Sequence, residues 1–199
     1  MGDSVSMHAP YESSGLMGTL RGKVGMWLFL ISDALTFGAL LAAYGAMRMG
    51  DPSWPVPGKI LDIPLTALNT FILICSSVTM VKALSAVRRG DIKGLQKFLL
   101  GTIAGGAIFL GIQAYEWTHL LTHGGLSPRK DLFSATFFAI TGFHGFHVTC
   151  GVIYLLAILA QSFRGVYTAQ SNERVEIAGL YWHFVDLVWI LVFTFVYLI

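Results

Sequence analysis

From Leu132 to Phe163 the chain carries no formally charged side chain, and this run decides what it can fold into. A helix crossing the hydrocarbon layer needs about 20 predominantly apolar residues. The run can therefore hold one long or tilted helix, but not two with a turn between them. Four further apolar runs accompany it. Val24 to Met47 is interrupted only by Asp33, and the proline-rich stretch Asp51 to Gly58 that follows cannot continue a helix. Pro64 to about Ala86 stops at Arg88-Arg89-Gly90-Asp91, and about Lys97 to Leu121 closes at His123-Gly124-Gly125. Ile177 to Ile199 contains one charge, Asp186. A helix satisfies its own backbone hydrogen bonds in hydrocarbon, so the predicted fold is an all-α membrane bundle of five transmembrane helices. Composition agrees: 55% of the 199 residues are hydrophobic and 12% charged, with a mean hydropathy of +0.67. Soluble domains carry about twice that charged share.

Residues 1–22 are polar and lack the basic-then-apolar order of a signal peptide, so they are expected to form a flexible cytoplasmic tail. The orientation follows from the basic residues. One side receives Arg21, Lys23, Lys82, Arg88, Arg89, Lys93, Lys97, Arg164 and Arg174, the other Arg48, Lys59, Arg129 and Lys130. This asymmetry predicts a cytoplasmic N-terminus and an outside C-terminus. A net charge of +2 offers nothing to nucleic acid. Neither internal repeats nor low-complexity segments are visible. Cys75 and Cys150 lie inside apolar runs and read as small buried hydrophobes, and no CxxC or CxxCH is written in the chain.

Ionisable side chains inside the spans carry the chemistry, because each costs about 2.5–3.5 kcal/mol near the bilayer centre on insertion scales and needs a partner. Asp33 falls near mid-membrane and reads either as a proton-holding site or as a hydrogen-bonded packing residue. His144 and His147 stand three apart on one helix face, and His183 and Asp186 repeat that spacing. Three imidazoles and a carboxylate invite a metal. With Gly142 and Gly145 permitting close approach, they suit better an interhelical polar cluster joining the fourth and fifth spans. Glu116 lies towards the outer end of the third span beside Tyr115 and Trp117, which suggests an interfacial residue. Arg164 closes the fourth span on the cytoplasmic side, as a lipid-phosphate contact or a solvated cation.

Several stretches resemble subunit III of the haem-copper terminal oxidases. Gly25-Met26-Trp27-Leu28-Phe29-Leu30-Ile31-Ser32-Asp33 looks like the start of that family's third helix, where many members carry Glu and the five-helix quinol-oxidase relatives carry Asp. Leu68-Asn69-Thr70 and Gln113-Ala114-Tyr115-Glu116 match the next two helices. Phe143-His144-Gly145-Phe146-His147-Val148 and Tyr181-Trp182-His183-Phe184-Val185-Asp186-Leu187-Val188-Trp189 match its two most specific signatures. The resemblance covers residues 23–199 and implies the five-helix form, without the two leading helices of the mitochondrial subunit. It further implies a subunit with no catalytic centre and no haem or copper of its own, those cofactors being held by partner subunits. The expected partners are oxidase subunits I and II, membrane phospholipid held in a cleft, and a respiratory supercomplex. The expected setting is the bacterial cytoplasmic (inner) membrane, within a proton-pumping cytochrome c or quinol oxidase that reduces O₂ to water. There the subunit supports proton uptake and resistance to turnover inactivation. Two other readings compete: a subunit III relative in a nitric oxide reductase complex, and a proton-coupled transporter. The second is disfavoured because five helices cannot form two equal halves.

Overall fold

The computed structural model describes residues 11–199, with side chains from Arg21 onward. Five helices follow one another: α1 (Tyr11–Gly50), α2 (Ile63–Arg88), α3 (Ile92–Thr122), α4 (Leu132–Phe163) and α5 (Glu173–Val192). The last turns, Phe193–Leu198, are π-helical, and a single 3₁₀ turn, Pro57–Lys59, interrupts the α1–α2 connection. Each of the five is long and apolar enough to cross a membrane.

The helix boundaries follow from local chemistry. Asp62, Asp91 and Asp131 cap α2, α3 and α4, their carboxylates accepting from the backbone N–H of Leu65, Gly94 and Ser134 at 3.1, 2.8 and 2.7 Å. The Asp91 cap starts α3 at Ile92, so Lys93 and Lys97 ride on its first turns and do not precede it. At the other ends, Gly90 and Gly165 adopt φ of +77° and +70° just after α2 and α4, where a side chain would be strained.

The expected flexible tail needs correction. Residues 1–10 lie outside the described residues, but 11–22 are helical and continuous with α1. After Pro10 no proline occurs before Pro52, so nothing in the backbone stops a helix from starting well ahead of the apolar run.

α5 is the central helix, packing on α1, α2 and α4, while α2 and α3 form a tight antiparallel hairpin. Trp182 of α5 wedges into the bundle between two glycines. A Cβ on Gly106 of α3 would come within 2.5 Å of its ring, and one on Gly151 of α4 within 3.0 Å. The indole Nε1 donates to Ser76 Oγ of α2 at 3.0 Å, so one side chain ties four helices together. Of the two glycines expected to admit a neighbouring helix, Gly142 does, against Trp117, whereas Gly145 faces open space. α1 is the least embedded span: 17% of its most apolar stretch is buried, against 50% for the last span. At the Lys23 end of α1, Glu176 of α5 accepts from Lys23 at 3.0 Å and forms an ion pair with Arg88 of α2 at 3.3 Å, closing the three helices with an ion triad.

Candidate functional site

Asp33 and His147 form the clearest ionisable pair. Asp33 lies on the bundle-facing side of α1 and His147 halfway along α4. His147 Nε2 stands 3.2 Å from Asp33 Oδ1, with both side chains over nine-tenths buried. The second ring nitrogen, Nδ1, lies 2.7 Å from the carbonyl oxygen of Phe143 one turn earlier. A nitrogen facing a carbonyl must carry the proton, so Nδ1 donates and Nε2 faces the carboxyl. Phe37 and Phe143 both pack edge-on against the imidazole, at 5.3 and 4.6 Å between centroids, and shield that side with aromatic surface. The Tyr181 hydroxyl of α5 donates to the backbone carbonyl of His147 at 2.9 Å, fixing that turn.

An apolar groove opens beside this pair, with a volume of about 470 Å³, lined by Met26, Phe29, Phe146, His147, Cys150, Tyr154 and Tyr181. Its walls are α1 on one side and α4 with α5 on the other. A second apolar groove of about 350 Å³ runs along the other flank of α1, between α1 and α5, and His183 is its one ionisable lining residue.

The expected single cluster of His144, His147, His183 and Asp186 is not formed. His147 turns to α1. His183 of α5 turns to α2, where its Nδ1 lies 2.5 Å from the Ser77 hydroxyl, and Ser77 also neighbours the Asp186 carboxyl. Asp186 keeps its Oδ1 buried and unpartnered among the described residues. His144 joins neither group. Fully buried, it sits among Phe37, Phe109 and Trp189, with both ring nitrogens unpartnered among the described residues. The physical reason is the central place of α5. Its His183 face looks at α2, while the α4–α5 contact is filled by Tyr181, Trp182 and Trp189.

Glu116 also departs from expectation. It is enclosed in protein and not spread at the interface: the side chains of Thr66 (α2), Gln113 (α3) and Tyr197 (the π-helical end) donate to it at 3.2, 3.2 and 3.0 Å. Gln113 at i−3 was legible in the sequence; Thr66 and Tyr197 were not. A polar stripe on α2 completes the interior. Asn69 donates to the Phe109 carbonyl at 3.2 Å, and Thr70 Oγ1 accepts from Trp189 Nε1 at 2.9 Å. Arg164 caps the C-terminal end of α4 with its side chain exposed.

Among the described residues no group of three or more His, Cys, Asp or Glu gathers as a metal would require. Chemically, the interior can hold protons and fix helices. The ring nitrogens of His147 are both occupied, and His183 has given Nδ1 to Ser77.

Comparison with known proteins agrees with this geometry. The family model described as cytochrome c oxidase subunit III matches residues 4–199. The chain is 43% identical to cytochrome c oxidase subunit 3 of Synechocystis sp., covering 99% of this chain and 84% of that one. It is 40% identical to the subunit of the same name from Thermostichus vulcanus, covering 88% of this chain and 86% of that one. With quinol oxidase subunit 3 of Bacillus spizizenii the identity is 35%, over 96% of this chain and 93% of the relative. With its five membrane helices and the match over nearly its whole length, the chain belongs to the cytochrome c oxidase subunit III family.

Proposed function

We propose that this chain is the accessory third subunit of a respiratory haem-copper oxidase in the bacterial cytoplasmic membrane, with cytochrome c or quinol as the electron donor. In this reading it packs against subunits I and II, which hold the haem and copper, and keeps phospholipid in the groove beside α1. It also offers Asp33 and His147 as a proton-holding pair. The N-terminus is cytoplasmic, a placement supported by the excess of Lys and Arg on that side.

The observation that carries the proton role is the buried 3.2 Å contact between Asp33 and His147. A neutral acid beside a neutral imidazole and a carboxylate beside an imidazolium have the same net charge. The pair can therefore shift a proton internally without leaving an isolated charge in hydrocarbon. Gaining or losing one proton changes its charge by one. That step is eased where a polar headgroup or water reaches the adjoining groove. The lipid role is supported by the apolar lining of that groove and by its breadth along α1. Arg164 at the cytoplasmic end of α4 suits a phosphate contact.

Asp33→Asn tests the proton role, since it keeps shape and polarity but cannot titrate. In the complete oxidase, reconstituted into vesicles, we expect normal assembly together with slower proton uptake or shorter turnover lifetime, while Asp33→Glu stays near the parent. If Asp33→Asn matches the parent in O₂ consumption, pumping and lifetime, the pair serves packing alone.

A further inference from the structure

At the C-terminal end of α3, His119 and His123 stand at the i,i+4 spacing that sets two side chains on one helix face. Both are exposed, and their ring centroids lie 5.3 Å apart with the planes inclined at 43°. The backbone beneath them is held firmly. The N–H groups of His123 and Gly124 both donate to the His119 carbonyl, at 2.9 and 3.1 Å, and Leu126 donates back to Leu120 at 3.1 Å. Gly125, with φ of +59°, takes the left-handed conformation that lets the chain turn there. Thr118 and Thr122, beside the pair on the helix, donate their hydroxyls to the carbonyls of Ala114 and Thr118 at 2.7 Å each. Neither hydroxyl proton is therefore aimed at an imidazole nitrogen.

Two histidines at i,i+4 on one helix face are the spacing with which helical zinc motifs grip a single ion. The ring separation fits that use. Zinc–nitrogen bonds measure about 2.0–2.1 Å, which puts an imidazole centroid roughly 3.2 Å from the ion, and a tetrahedral angle then separates two centroids by about 5.2 Å. The 5.3 Å found here meets that spacing without any shift of the backbone. Two further features favour a cation. The C-terminal end of a helix carries partial negative charge. Asp62, immediately before α2, shares a small cleft of about 120 Å³ with His119 and commits only its Oδ1 to the Leu65 N–H. No third His, Cys, Asp or Glu gathers with the pair among the described residues, so the remaining coordination positions fall to water.

We propose that His119 and His123 form an exchangeable chelate site for a divalent transition-metal ion taken from the aqueous phase. Imidazole suits zinc, copper and nickel, whereas the hard cations magnesium and calcium take oxygen ligands. Thr122 is the last residue of the third span, so the pair lies where α3 leaves the membrane, open to water-borne ions. A site with two protein ligands and open positions exchanges its ion, unlike the closed four-ligand sites that hold structural zinc. The pair touches none of the residues assigned proton or lipid roles above.

The test uses the full chain purified with its native subunits, as parent, His119→Gln and His123→Gln. Each is freed of loosely held ions with a chelator and dialysed against zinc chloride at stepped micromolar concentrations. Zinc per complex is then counted by elemental mass spectrometry. Both imidazoles are exposed and support no core contact, so the variants should assemble like the parent. We expect the parent to hold one more zinc than either variant, and loss of one imidazole to weaken the site about tenfold or more, since the second ligand binds intramolecularly. A third variant, His123→Gln with Leu121→His, keeps the number of imidazoles but sets them two residues apart, off a common face. It should bind like the single variants. A large excess of magnesium should leave the zinc in place, because that ion prefers oxygen ligands. Equal zinc in parent and single variants, recovery of the site with Leu121→His, or displacement by magnesium overturns the proposal.

Discussion

The Tyr197 hydroxyl donates to Glu116 Oε2 across 3.0 Å, so the final turn of the chain is fastened to α3 through a buried carboxyl. Hydrogen bonds between membrane helices average about 0.6 kcal/mol and reach about 1.7. Tyr197→Phe should therefore lower stability by about 1 kcal/mol while leaving the bundle intact. Glu116→Ala should cost more, because it strands three donors at once. Thermal unfolding in detergent, followed by tryptophan fluorescence, checks the order. Equal effects would mean that the three donors find other acceptors.

The same reasoning applies to Asp33 and His147, where a double-mutant cycle isolates the pair. Asp33→Asn and His147→Gln each keep a polar side chain. Residues in direct contact couple by about 0.5–3 kcal/mol. We expect a coupling towards the low end, as for other membrane hydrogen bonds. Additive losses would place the two side chains in separate environments.

Gly106 and Gly145 make a matched comparison on facing helices. Gly106→Ala drives a methyl to within 2.5 Å of the Trp182 ring and 2.8 Å of Val152, whereas Gly145→Ala meets nothing within 4 Å. Overpacking of this kind typically costs about 1–3 kcal/mol. The first substitution should depress the unfolding midpoint, and the second should leave it unchanged or raise it slightly, since alanine favours a helix over glycine.

Glu176 joins two cations, but its partners are partly exposed, with Arg88 showing 54% of its side chain to solvent. Exposed ion pairs contribute about 0–1 kcal/mol. Glu176→Gln should therefore shift stability only slightly, with the difference vanishing in high salt. A large salt-independent loss would show that the triad is covered in the assembled complex.

Topology is open to direct measurement. Reporter fusions after Gly90 and after Ile199 should give opposite signals, cytoplasmic for the first and outside for the second. Equal signals would require an even number of crossings between them.

The number of spans and the limits of α4 were legible because apolar length and charge punctuation are local properties. The Asp62, Asp91 and Asp131 caps were visible as residues, but only the fold shows them starting their helices. Side-chain partners were not legible. The i,i+3 spacing of His144 with His147, and of His183 with Asp186, says that each pair shares a face, but not which helix that face meets. Ser77, the partner of His183, is silent in sequence, lying 106 residues away. Glu116 was misjudged for a related reason. Position along a helix gives depth in the bilayer, whereas direction around the axis decided that this carboxyl points inward to Thr66 and Tyr197.

The first span packs chiefly on α4 and α5, the fourth and fifth helices in chain order. During biogenesis α1 therefore enters the bilayer long before its contacts exist, carrying Asp33 without His147. The α2–α3 hairpin can assemble as soon as it emerges, but the Asp33 contact must await α4 and the packing around Trp182 must await α5. Closure of the bundle thus follows the entry of α5. A chain truncated before α4 should leave α1 loose in the membrane, exposed to quality-control proteolysis.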